Sequence, residues 1–156
     1  MHDVARSLQI AEMIISAESR PNHMALLAES VAIQGRLDDA LSIIAQTRTL
    51  AELGKERHYL PEILRPTGAW SMQKGLSAPG DLDATERVLR DAVALARKQE
   101  ARGFELRAAT TLATFAQKTG RAPDARAGLA QIVDAFTEGF DTRDFREARN
   151  TLAAFG

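Results

Sequence analysis

The side chains that could do chemistry are few and scattered. The three histidines, His2, His23 and His58, lie far apart in the chain. His58 and Glu62 stand four residues apart, so on a helix they share a face and offer two metal ligands. No third ligand accompanies them, and a surface hydrogen bond accounts for the pair. No H-E-x-x-H occurs. Gly54-Lys55 is followed by Glu56 instead of Ser or Thr and lacks the upstream glycine of a phosphate loop. G-x-G-x-x-G and G-x-S-x-G are also absent. The acidic pairs Asp38/Asp39 and Asp81/Asp83 sit where helices are expected to start, and capping and the helix dipole explain them better than acid–base catalysis. There is no cysteine, which removes disulfides, thiolate nucleophiles and thiolate metal sites. These residues predict a protein that is not an enzyme and that uses no cofactor and no metal.

Composition narrows the partners. Lys+Arg total 20 against 21 for Asp+Glu, a formal net charge of -1. That balance leaves no electrostatic footprint for nucleic acid or an anionic membrane. No apolar run approaches the length of a bilayer span, and residues 1–20 carry Asp3, Arg6, Glu12 and Glu18, unlike a signal peptide. A cytoplasmic location is expected. Trp70 is the only tryptophan and Tyr59 the only tyrosine. At helical spacing with Ile63 and Met72 they read as core, the alternative being an aromatic in a ligand groove. Phe136, Phe140, Phe145 and Phe155 read as a terminal core cluster.

The elements that must position these residues are helices. The chain is 45% hydrophobic and 5% aromatic, and its apolar residues recur at three- and four-residue steps. A glycine-led turn returns three times: G-R-L-D-D-A-L at Gly35, G-D-L-D-A-T-E at Gly80 and G-R-A-P-D-A-R at Gly120. Each follows one apolar helical segment and opens another. A period of about 40 residues of this kind marks a helical solenoid. The expected fold is all-α, an antiparallel helical-hairpin solenoid of about three degenerate repeats in one domain spanning 1–156. Its parts are a leading helix (1–20), repeats over 21–54, 57–101 with an insertion, and 103–138, and a capping helix (141–155). Pro66 predicts a kink near Glu62 to Arg65 or two shorter helices. Asp83 and Glu86 are expected to form a capping box.

In such a solenoid the first helix of each pair lines the concave face. By this register Glu29, Glu62, Arg65, Gln73, Arg107, Thr110, Thr114 and Gln117 project into the groove. Mixed charge and hydroxyls there suit an extended peptide or a helix. The leading helix carries a stripe of Leu8, Ala11, Ile14 and Ile15. That stripe packs either on its own solenoid or on a second copy, giving a homodimer.

Anchored on the turn glycines, the chain resembles the tetratricopeptide repeat, which wants small residues where its two helices approach. The corresponding triples are Ala28, Gly35, Ala40; Gly68, Gly80, Thr85; and Ala113, Gly120, Ala125. The repeat's typical tryptophan, tyrosine and terminal proline are missing. A second resemblance rests on A-L-A-R-K-Q-E-A-R-G-F-E-L-R-A-A-T-T-L-A (Ala94 to Ala113) and on F-T-E-G-F-D-T-R-D-F-R-E-A-R (Phe136 to Arg149). These stretches look like the C-terminal tetratricopeptide region of bacterial class III adenylate cyclases and of transcriptional regulators that carry an ATPase module. The sequence contains no cyclase, ATPase or DNA-binding segment, so the resemblance implies only the repeat region's role. That role is protein–protein contact in a bacterial signalling or transcription-regulatory system. The alternative is a sensor holding a small molecule or short peptide in the groove near Trp70 and Arg65.

Overall fold

The computed structural model describes residues 20–54, 57–75 and 79–155. The stripe of Leu8, Ala11, Ile14 and Ile15 lies outside them. Among the described residues there are seven α-helices: α1 (Arg20–Ile33), α2 (Leu37–Leu53), α3 (Leu60–Lys74), α4 (Pro79–Lys98), α5 (Arg102–Thr119), α6 (Ala125–Asp134) and α7 (Arg143–Ala153). No strand occurs among them. Helices α1 and α2, α3 and α4, and α5 and α6 pack as hairpins. The first helices also meet in sequence, α3 resting on α5 and α5 on α7, with a slighter contact between α1 and α3.

Two of the three expected turns form as read. Gly35 and Gly120 adopt φ of +80° and +69°, a left-handed conformation that costs other residues more than glycine. The Gly35 amide donates to the Ala32 carbonyl at 2.9 Å and the Arg36 amide to Val31 at 3.2 Å, closing α1. The middle copy departs from the pattern. The left-handed glycine there is Gly75, and Gly80 lies inside the first turn of α4. Because α4 starts at Pro79, Asp83 and Glu86 are already inside the helix and form no capping box. Their carboxylates instead receive Arg121 from beyond α5.

Pro66 gives neither of two shorter helices, since α3 runs through it from Leu60 to Lys74. The proline removes one backbone donor, but its ring is buried in the packing of the helix. Pro61 occupies the first turn, where a missing amide costs nothing. Helix α6 stops at Asp134, earlier than the apolar stripe through Phe136 suggests, and Gly139 (φ +75°) turns the chain toward α7. The Thr142 hydroxyl caps α7 by accepting from the Phe145 amide at 3.3 Å.

Small residues set the hairpin spacing. Ala28, Ala40 and Ala113 have no exposed surface, and Ala125 and Thr85 are buried. Gly68 is the tightest case: a Cβ there would stand 2.5 Å from Cδ2 of Leu89, itself fully buried. The core is a chain of apolar clusters. One joins α1, α2 and the start of α3 through Ala28, Ile43, Ile44 and Ile63. Another joins α5, α6 and α7 through Leu106, Leu129, Ile132 and Phe145. Phe115 and Leu89 bind α4 to α5 between them.

Candidate functional site

Helices α1, α3, α5 and α7 present the face that the sequence assigns to the groove, and two adjoining cavities open on it. The first, about 360 Å3, lies between α1 and α3. Its wall from α1 is Glu29, Ala32 and Ile33, and its wall from α3 is Arg65, Pro66, Ala69, Trp70 and Gln73. Ile33 is 87% exposed, an unusual state for a large aliphatic side chain. Trp70 serves two ends: one side packs on the first core cluster and the other faces the cavity. Trp70 is thus a partly buried core residue that also lines the cavity.

The second cavity, about 270 Å3, is bounded by α3, α5 and α7 and is polar. Arg65 lines it too, so this one guanidinium stands at the junction of the two spaces. Arg107, Thr110, Thr111, Arg143, Asp144 and Glu147 complete its wall. Arg107 is held rigidly. It bonds Glu62 on α3 at 3.2 Å and Asp144 on α7 at 3.1 Å, and its guanidinium lies 5.1 Å from the centre of the Phe104 ring. Arg65 is held loosely. Its Nε lies 3.5 Å from Glu62, is buried, and makes no hydrogen bond. The nearest acceptor for this one buried N–H, the Glu62 carboxylate, stands beyond good hydrogen-bond geometry, so the donor has left water for a weak replacement.

Of the residues expected in the groove, Glu29, Arg65 and Gln73 meet at the first cavity, and Arg65, Arg107 and Thr110 at the second. Glu62 stands behind them as the shared carboxylate of Arg65 and Arg107. Thr114 and Gln117 line neither cavity. The Thr114 hydroxyl donates to the Thr110 carbonyl at 3.0 Å, and the Gln117 amide donates to the Ala154 carbonyl at 2.6 Å, tying α5 to the end of α7. Thr110 itself is buried and spends its proton on the Leu106 carbonyl. Ile33, Arg143 and Glu147 were not legible as site residues. The signal for Ile33 was its place as the last apolar residue of α1; for the pair on α7 there was none.

The histidine–carboxylate pair does not assemble as a metal site. Glu62 faces its two arginines, and the His58 ring lies against Tyr59 with centroids 4.2 Å apart. Among the described residues no group of three or more His, Cys, Asp or Glu side chains is placed to hold a metal ion. Nor is any helix there long and apolar enough to cross a membrane.

Away from the groove, arginines fasten the outer helices. Arg90 on α4 bonds both carboxylate oxygens of Asp124 at 2.9 and 2.7 Å and also reaches Glu86 at 3.0 Å. That bidentate contact holds the Asp124 carboxyl down at about 2, against an ordinary 3.8, and raises the Arg90 guanidinium in turn. Helix α6 thus starts at an aspartate occupied by another helix, and its side chain makes no cap hydrogen bond.

No protein-family model matches the sequence, and no curated protein matches it. Among solved structures the chain is similar to a putative kinesin light chain of Podosopora anserina with nearly identical TPR-like repeats. The TM-score is 0.67 at 17% identity, over 96% of this chain and 72% of that one. At that identity the likeness establishes the fold alone: an all-α, tetratricopeptide-like helical-hairpin solenoid.

Proposed function

We propose that the protein is a non-catalytic interaction module that receives a segment of a partner protein along the face of α1, α3, α5 and α7. One observation carries this reading: two adjoining cavities on one face share Arg65, a side chain whose buried Nε faces Glu62 but makes no hydrogen bond. Repeat folds of this kind generally serve protein–protein contact, and a row of shallow openings suits a chain laid across successive helices. The signalling and bacterial setting, and with it a cytoplasmic location, rests on the sequence resemblance at Ala94 to Ala113 and Phe136 to Arg149. Self-association through Leu8, Ala11, Ile14 and Ile15 belongs to the same proposal. Mass measurement in solution with and without residues 1–19 tests it, and a monomer in both cases removes it.

A photo-crosslinking amino acid at Gln73, in the groove, and at Arg126, on the outer side of α6, tests the main reading in cells that make the protein. A discrete protein adduct from position 73 that is absent from 126 is expected. Equal adducts from both positions, or none from 73, would overturn it.

A second reading has its own observation. The cavity beside Trp70 is about 360 Å3, within the span of roughly 300–1,000 Å3 common for small-molecule sites. A sensor would bind its ligand there against the single indole. Trp70 emission and thermal shift against a metabolite set would reveal it. A saturable change abolished by Trp70→Leu favours the sensor over the interaction module.

A further inference from the structure

The two ends of the described helices differ in what they leave uncovered. The exposed side of α7 carries Arg143, Arg146, Glu147 and Asn150, all polar, as suits a terminal helix. Helix α1, at the other end, packs on α2 and lightly on α3. On its open side Leu26 and Ile33 are 54% and 87% exposed. They stand seven residues apart, two helical turns, so they share one face about 10 Å from each other. With Leu53 at the end of α2 they make three of the four large apolar side chains left exposed among the described residues, so apolar exposure gathers on the first hairpin. Such a concentration marks a contact surface, where single scattered residues do not.

Resting on the self-association reading above, we infer that Leu26 and Ile33 are the seat for residues 1–19 of a second copy, exchanged reciprocally between two chains. Leu8 and Ile15 also stand seven residues apart, with Ala11 and Ile14 between them, so the helix that the sequence predicts there repeats the spacing of its seat. This segment joins the described chain at Arg20, the first residue of α1. Folded back on its own α1 through a two-residue connection, at the short end of the usual range, such a helix sets Leu8 opposite Glu29 and ends its stripe about one turn short of Ile33. A second copy is free of that register and sets Leu8 on Ile33 and Ile15 on Leu26 together. Ile33 also walls the cavity beside Trp70. The exchanged segment therefore covers that mouth of the groove, and self-association competes with any occupant of the cavity.

The test is sedimentation of the full chain over a range of concentrations, as the parent and as two double variants checked for unchanged circular dichroism. Leu8→Lys/Ile15→Lys removes the stripe. Leu26→Lys/Ile33→Lys removes the seat at exposed positions, where lysine keeps helix propensity. Each variant alone should associate more weakly than the parent by at least about tenfold, the effect of leaving one leucine-sized side chain uncovered. Mixed together, the two variants hold one intact stripe and one intact seat, and should associate where neither does alone. Acrylamide quenching of Trp70, the only tryptophan, should fall as the parent associates and stay constant over the same range in Leu26→Lys/Ile33→Lys. A parent that is monomeric throughout removes the self-association reading and this seat with it. A dimer that Leu26→Lys/Ile33→Lys leaves intact, or a mixture that fails to associate, overturns the seat while self-association stands on another surface. Quenching that stays constant as the parent associates overturns the closure of the cavity.

Discussion

Between the second and third hairpins, arginines cross from helix to helix at every level; between the first and second, the contact is almost entirely apolar. On the C-terminal side Arg90 holds Asp124, Arg121 holds Asp83 and Glu86, Arg97 holds Glu105 at 2.7 Å, and Arg107 spans Glu62 and Asp144. On the N-terminal side the ion pair from one hairpin to the next is Lys74 to Asp38, between two exposed side chains. Exposed pairs contribute little, and a network of bidentate arginines contributes more than isolated ones. The larger groove cavity opens at the sparsely fastened joint, where α1 only lightly touches α3. The binding face proposed above lies over this joint, where an occupant would be accommodated without breaking the fastened half.

Four experiments break or sharpen that contrast. The largest effect is expected at Phe145, buried between Phe136 and Phe140 with ring centroids 5.6 and 5.2 Å away. Phe145→Ala should cost about 3–5 kcal/mol in urea unfolding, because α7 loses the anchor that seals α5 and α6. A loss below about 1 kcal/mol would mean the C-terminal end is not the firmer one.

Gly68→Ala comes next. In an exposed helix this change stabilises by about 1 kcal/mol, but here the new methyl meets Leu89. The clash should reverse the sign and cost about 1–3 kcal/mol. In a double-mutant cycle with Leu89→Ala the penalty at Gly68 should shrink or vanish. Additive losses would show that α3 and α4 are free to separate and that this hairpin does not couple the two joints.

The ion pairs themselves give a smaller difference. Arg90→Met should destabilise by about 0.5–1 kcal/mol, discounted for its partial exposure, and Lys74→Met by less than about 0.3 kcal/mol. Chemical denaturation at low salt reads both, and equal losses would erase the distinction between the joints.

The smallest signal is in pH. The Asp124 carboxyl is depressed in the folded state to about 2 from 3.8, so the unfolded chain binds its proton first as the solution is acidified. Its stabilising contribution is complete above about pH 4 and is lost as pH falls through about 2. The stability gap between the parent and Asp124→Asn should therefore narrow from pH 5 to pH 2. A gap that stays constant over that range would show that the Arg90 contact does not favour the ionised form.

The groove was only partly readable before folding. Spacing identified Glu29, Arg65, Gln73 and Arg107 because first-helix positions repeat with the helical period and the turn glycines set the register. Trp70 was ambiguous, because a large aromatic beside Ile63 and Met72 has the periodicity of core whichever of its faces remains open. Thr114 and Gln117 share the outward register of the groove, yet a carbonyl within reach claims each of them, and local sequence does not reveal such captures. Arg143 and Glu147 sit on the capping helix, and only its docking against α5 brings them to the same cavity as Arg65.

What the sequence determined by itself is the alternation of amphipathic helices, the small residues at their crossings, and the left-handed turns at Gly35 and Gly120. Those follow from rules that act within a few residues: side-chain period, steric volume and backbone freedom. Tertiary structure decided the middle turn, where α4 begins before Gly80 and frees Asp83 and Glu86 for Arg121. It also let α3 run through Pro66, an outcome that burial of the ring accompanies and that helix propensity opposes. And it decided which carboxylates Arg90 and Arg107 reach, since Asp124 and Glu62 lie 34 and 45 residues from them, beyond the reach of any local pattern.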